Sequence, residues 1–122
     1  MKNKIDFQYI DSEKRPWGIY YIIHSNKKCK VKRIEVLPGQ KLSYQFHKSR
    51  DEKWTIISGS AIVTINGLKS RLIYGESVNI PRLSKHRIEN SSDEPLIFIE
   101  VQTGDYFGED DIIRIEDEYN RN

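Results

Sequence analysis

Residues 38–61 read PGQKLSYQFHKSRDEKWTIISGSA, bracketed by the turn signals Pro38-Gly39 and Ser58-Gly59. Side chains two apart on a strand share a face, so Ser43, Gln45 and His47 point one way while Leu42, Tyr44 and Phe46 point the other. One face is polar and the other apolar. After a short turn, Glu52 shares its face with Trp54 and Ile56. Working outward, turn signals recur at Asn66-Gly67, Tyr74-Gly75, Pro81, residues 90–93, Pro95, Gly104 and Gly108. Turns about 8 to 12 residues apart mark an antiparallel sandwich or barrel. Asn-Gly supplies the two positive φ values of a type I′ turn, so residues 61–65 and 68–73 are predicted to form a hairpin. Further strands are predicted over 30–37, 42–47, 53–57 and 96–102, whereas the acidic stretch 110–119, with Ile112, Ile113 and Ile115, reads as a last strand or a short helix. Eighteen Ile against the lone Ala61 point the same way, because β-branched side chains suit a pleated surface and Ala suits a helix.

The length of 122 residues fits one domain. Twenty Lys+Arg against 18 Asp+Glu leave a formal charge of +2, too balanced for a chain whose affinity comes from phosphate backbones, and no polybasic block is present for an anionic membrane. Neither nucleic acid nor membrane is expected as a partner. The N-terminus begins with positive charge but lacks the apolar core of a secretory signal, and no apolar run approaches the ~20 residues of a membrane helix. A single cysteine, Cys29, cannot form an intramolecular disulfide, which suits a reducing, cytoplasmic setting. No internal repeat, linker or low-complexity tract is evident.

A second segment, GESVNIPRLSKHRIEN, runs from Gly75 through Pro81 and His86 to Asn90. Together the two segments reproduce the paired cupin motifs. The first is carried by Gly39, Gln45, His47, Glu52 and Gly59, with Gln45 replacing the usual first His, and the second by Gly75, Pro81, His86 and Asn90, with Leu83 where Gly is usual. The resemblance implies an all-β small cupin, an antiparallel jelly-roll barrel forming a single domain with a core over about 15–104 and segment 105–122 packed on it. A barrel lumen collects side chains from several strands onto one point, and Gln45, His47, Glu52 and His86 would bring two imidazole nitrogens and two oxygens there. That donor set suits a divalent ion, with zinc the first choice and manganese, iron, cobalt and nickel left open. A metal-free cupin that keeps the turns is the alternative. His24, in a polar turn, is given no role.

The chain also resembles a particular cupin family. Residues 15–18 (RPWG), 31–34 (VKRI), Leu42, Ser43, Arg50, Trp54, 95–96 (PL), 99–102 (IEVQ), Gly104, 108–112 (GEDDI), Arg114, Asp117 and Tyr119 follow in order the pattern of the type II mannose-6-phosphate isomerase domain, usually fused behind a mannose-1-phosphate guanylyltransferase domain. Ser49 and Lys53 depart from it, standing where the family usually has His. Gln45-x-His47 also resembles the zinc-binding pair of type I phosphomannose isomerases. No Gly-rich segment that could cradle GTP is present, so guanylyl transfer is not expected of this chain.

The resemblance implies interconversion of mannose 6-phosphate and fructose 6-phosphate through an enediol, assisted by a Lewis-acid cation. Proton transfer needs a base, and Glu100, sharing a strand face with Gln102, is the candidate. The small-molecule sugar phosphate needs cations, for which Arg15, Lys32, Arg33, Arg50 and Arg114 are the candidates, with Arg50 also assigned to catalysis and Gln102 to substrate binding. Lys32 and Arg33 cannot both face the lumen of a regular strand. Trp54 is read as core, and Asp110 and Asp111 as a helix cap or solvated acids. A homodimer is expected by family analogy. Two rival functions stay open: a non-catalytic sugar-phosphate-binding or regulatory cupin, and an epimerase acting on a nucleotide-linked sugar.

Overall fold

The structure, a computed structural model, describes residues 5–116. Eleven strands are formed among them: β1 (Asp11–Arg15), β2 (Gly18–Ser25), β3 (Cys29–Val36), β4 (Tyr44–Phe46), β5 (Arg50–Ser58), β6 (Ala61–Ile65), β7 (Leu68–Leu72), β8 (Ser77–Ile80), β9 (His86–Glu89), β10 (Leu96–Gly104) and β11 (Ile113–Glu116). They build one sheet in the order β1-β2-β3-β10-β5-β8 and a second in the order β11-β4-β9-β6-β7, with every pairing antiparallel. This is the antiparallel two-sheet barrel that the turns predict and that the cupin resemblance implies. The predicted hairpin closes through Asn66 and Gly67, whose φ values of 48° and 85° are those a type I′ turn requires.

Several turns are fixed by backbone that side chains cannot enter. At Gly59 the φ of +83° is joined by a close approach, since a Cβ there would meet the Pro95 carbonyl oxygen at 2.8 Å. Leu83 is different. It holds a φ of 74° without being glycine, and its N–H donates to the His47 carbonyl at 2.7 Å, tying the turn before β9 to the end of β4. The left-handed conformation costs a residue with a Cβ roughly 1–2 kcal/mol, which gives the physical reason a glycine is usual here.

Register sorts the lumen into two ends. Across β3, β10 and β5, Ile34 faces Phe98 and Phe98 faces Ile56; one step along, Lys32 faces Glu100 and Glu100 faces Trp54; next, Gln102 faces Glu52. Each strand carries its inward apolar residues at one end and its inward polar ones at the other. Antiparallel pairing then brings like with like. The apolar end is fully buried at Ile56, Val63, Ile88, Leu96 and Phe98. Each such side chain contributes about 1.5–3 kcal/mol of burial, which anchors the polar end on a rigid base.

Two expectations about elements change. The N-terminal residues, for which no strand was predicted, form β1 and β2 and extend the first sheet. The described part of stretch 110–119 is both a turn and a strand: a short 3₁₀ turn at Glu109–Asp111 leads into β11, which pairs with β4. Asp117 and Tyr119 lie outside the described residues.

Candidate functional site

At the polar end of the lumen, His47 follows β4, Glu52 stands on β5 and His86 opens β9, and all three are buried. His47 Nε2 lies 3.0 Å from Glu52 Oε2 and His86 Nε2 lies 3.8 Å from Glu52 Oε1. One donor atom from each residue falls within 4.8 Å of the others. Donors around a tetrahedral ion with bonds near 2.1 Å lie about 3.4 Å apart, so the spacing fits a cation.

Tautomer chemistry strengthens the fit. His47 Nδ1 lies 3.1 Å from the Asp111 carbonyl and His86 Nδ1 lies 2.9 Å from the Ser84 carbonyl. A carbonyl only accepts, so each Nδ1 carries the proton and, in the neutral ring, each Nε2 presents a lone pair. Both lone pairs face carboxylate oxygens, and that of His47 also faces Arg50 Nη2 at 3.4 Å. Acceptors facing acceptors in a buried space need a proton or a metal between them, and backbone carbonyls behind the imidazoles are the usual support for metal-binding His. His86 Nε2 finds no hydrogen-bond partner, and neither does the buried Gln45 Oε1. Gln45 pairs directly with His86 across β4 and β9, which places both side chains on the lumen face of the second sheet.

Protonation follows from the same packing. Burial pushes the Glu52 carboxyl up, but a proton on His47 Nε2, which takes the cation's place between ring and carboxylate, together with the charges of His86 and Arg50, outweighs that and holds it well below the usual carboxylate range. Burial keeps His86 below the ordinary imidazole value, against the pull of Glu52. Glu100 goes the other way: burial, then the negative charge of Glu52, raise it to about 8. Two neighbouring carboxyls are thus driven apart, one ionised and one able to hold a proton near neutral pH.

Trp54 is buried as expected of core, yet it also donates. Its Nε1–H reaches Glu52 Oε1 at 3.2 Å and Glu100 Oε1 at 3.1 Å, while Gln102 Nε2 donates to Glu100 Oε2 at 2.8 Å and Glu52 Oε2 at 3.3 Å. Arg50 Nε donates to Glu52 Oε2 at 3.1 Å and its Nη1 to the Gly108 carbonyl at 3.2 Å. Arg15, Lys32, Arg114 and Gln45 line the same cavity, which is open at its mouth.

Arg33 is the correction. Regular pairing of β3 turns Lys32 inward beside Glu100, so alternation sends Arg33 to the outer face, where its Nε donates to Glu35 at 2.9 Å and its guanidinium lies over the Phe7 ring. It leaves the phosphate-binding set. Lys53 is likewise exposed, between the inward Glu52 and Trp54, so a His at that position of the strand would not face the lumen. Ser49 lies in the turn before β5.

Asp111 departs from the expected helix cap or solvated acid. Its carboxylate accepts from the Lys48 and Ser49 N–H groups at 3.0 Å each, and its carbonyl faces His47. Nothing local in the sequence announces this link, which spans more than sixty residues. Replacing Asp111 by alanine is expected to loosen His47 and reduce metal affinity roughly 10- to 100-fold, the usual cost of losing a supporting partner, and metal titration followed by calorimetry checks it.

Comparison with known proteins accords with this geometry. Residues 2–117 match the family described as Mannose-6-phosphate isomerase C-terminal. The chain is 47% identical over 107 residues to the mannose-1-phosphate guanylyltransferase ManC of Salmonella typhimurium, which covers 88% of this chain and 22% of that protein. It is 46% identical over 107 residues to the alginate biosynthesis protein AlgA of Pseudomonas aeruginosa, again 88% of this chain and 22% of the relative. The chain therefore spans less than a quarter of these relatives' length. Among solved structures, an uncharacterized conserved protein with a double-stranded β-helix domain from Klebsiella pneumoniae superposes with a TM-score of 0.70 at 26% identity, covering 79% of this chain and 82% of that one.

Proposed function

Because this chain belongs to the mannose-6-phosphate isomerase C-terminal family, we propose that it interconverts mannose 6-phosphate and fructose 6-phosphate in the polar end of its barrel. The observation that carries the proposal is the convergence of two imidazole lone pairs and an ionised carboxylate beside a second carboxyl that holds its proton near neutrality.

His47, Glu52 and His86 would hold a divalent cation, zinc first among the candidates, with Gln45 as a fourth donor. When bound, such an ion supplies Lewis-acid stabilisation of the negative charge that develops on the sugar oxygens. The protein's own residues do the rest. Isomerisation takes a proton from one carbon of the open-chain sugar and returns it to the neighbour through an enediol. Glu100 is the group assigned to carry that proton, since a base titrating near the working pH both takes and returns it efficiently. Trp54 and Gln102 hold one Glu100 oxygen each and so fix its orientation. Arg50 orients Glu52 and adds a fixed positive charge. Lys32, Arg15 and Arg114, at the same cavity, supply cations for the phosphate. A cytoplasmic setting and a homodimer belong to the same reading by analogy.

The experiment is an isomerase assay. Protein loaded with zinc, manganese, cobalt, nickel or iron and incubated with mannose 6-phosphate is expected to yield fructose 6-phosphate in a coupled measurement. Absence of turnover with all five metals overturns the isomerase reading, and calorimetric binding of the sugar phosphate without conversion would assign the protein to the sugar-binding cupins instead.

A further inference from the structure

Lys32 is buried, its side chain 6% exposed, and its ammonium lies over the Tyr20 ring at 4.3 Å. An ammonium withdrawn from water needs a counter-charge. The nearest partner across the cavity comes from the segment after β10: Glu109 Oε2 accepts from Lys32 Nζ at 3.2 Å, and Glu109 Oε1 lies 3.8 Å from Arg15 Nη2. One carboxylate thus spans two cations with one oxygen to each. Burial pushes Glu109 up, but Lys32, then Arg50 and Arg15, hold it below the usual carboxylate value, so it is ionised.

We propose that Lys32 and Arg15 form the seat of the substrate phosphate and that the Glu109 carboxylate occupies this seat in the ligand-free protein as a resident competitor. The inference rests on the sugar-phosphate reading above and adds how its anion site is guarded. A phosphate monoester brings two negative charges and three oxygens, so it replaces the carboxylate on both cations with charge to spare. Glu109 is free to leave. Its side chain is 40% exposed, the 3₁₀ turn carrying it buries no residue, and a rotation of the side chain alone breaks both contacts. Arg15 retains Glu13 as a second partner throughout. Until a dianion arrives, Lys32 is never left without a counter-charge.

Calorimetry with mannose 6-phosphate on the full chain tests this. Glu109→Gln removes the competing charge while keeping the shape, and is expected to tighten binding about tenfold; melting without ligand falls, and the rise in melting temperature on adding mannose 6-phosphate becomes larger than in the wild type. Arg15→Gln, at a partly exposed site on an edge strand, is expected to weaken binding about tenfold. Equal or weaker binding by Glu109→Gln overturns the competitor, and unchanged binding by Arg15→Gln overturns the seat. Binding that follows the expected pattern without isomerisation would overturn the catalytic reading and leave this one standing; no binding of mannose 6-phosphate to any variant overturns both.

Discussion

Glu52→Ala is expected to destabilise the fold by about 3–5 kcal/mol, the usual result of stranding a buried charge, and to abolish metal binding. Glu52 is the junction of the polar end. It accepts from Arg50, Trp54 and Gln102 and faces both His47 and His86. Arg50 is 2% exposed, and Glu52 is its only ion-pair partner among the described residues. Removing the carboxylate strips the compensation from a guanidinium that water cannot reach. Against the ~5–15 kcal/mol that holds a typical domain together, that is a large share. Urea unfolding measures the loss and elemental analysis of protein prepared with zinc measures the metal. A variant that melts like the wild type and retains its metal would mean that Glu52 is neither the junction nor a ligand.

Glu100→Gln is expected to leave metal content and KM nearly unchanged while lowering kcat by roughly 10²–10⁴, the range for loss of a general base. Gln keeps the shape and accepts from Trp54 through its one oxygen, while Gln102, whose Oε1 is unpartnered, turns its amide to accept from the new N–H; the variant cannot carry the proton. The same variant gives a pH signature in the metal-free protein. Folding raises Glu100 from 4.5 to about 8, so its protonated form stabilises the fold fully below 4.5 and this contribution disappears as pH rises through about 8. Glu52 acts oppositely: held low, it contributes above its unfolded value and is lost only in strong acid. Above pH ~8 Glu100→Gln therefore melts a few degrees higher than the wild type, since 1 kcal/mol moves a domain of this size by roughly 3–5 °C. A lower or equal melting temperature there would show that burial does not raise Glu100, and a kcat within threefold of the wild type would remove it as the base.

Much of the fold was legible because its determinants are local. A glycine or proline at a turn and an alternation with a period of two are written within a few residues, and they gave the hairpin at Asn66-Gly67, strands close to β3, β5 and β10, and the shared face of Gln45 and His47. The same alternation stated that Lys32 and Arg33 exclude one another but could not choose between them, because the choice depends on which face of β3 meets β10. Strands β1 and β2 lie outside the predicted set although Pro16 and Gly18 frame the turn between them, because β1 (DSEKR) has no apolar residue to alternate and β2 (GIYYIIHS) opens on a continuous apolar run.

By itself, then, the sequence determined an all-β antiparallel fold, its turns, and the residue types able to bind a cation, since each of these follows from side-chain chemistry and short-range geometry, and resemblance to the paired motifs made that fold a cupin. Only the tertiary structure decided the charges and the closure of the site. Glu52 and Glu100 part in protonation because β5 and β10 press two carboxyls into one dry space, and Glu109 and Asp111 reach Lys32 and His47 because β11 folds back onto β4. Those are effects of proximity between residues far apart in the chain, and no local pattern encodes them.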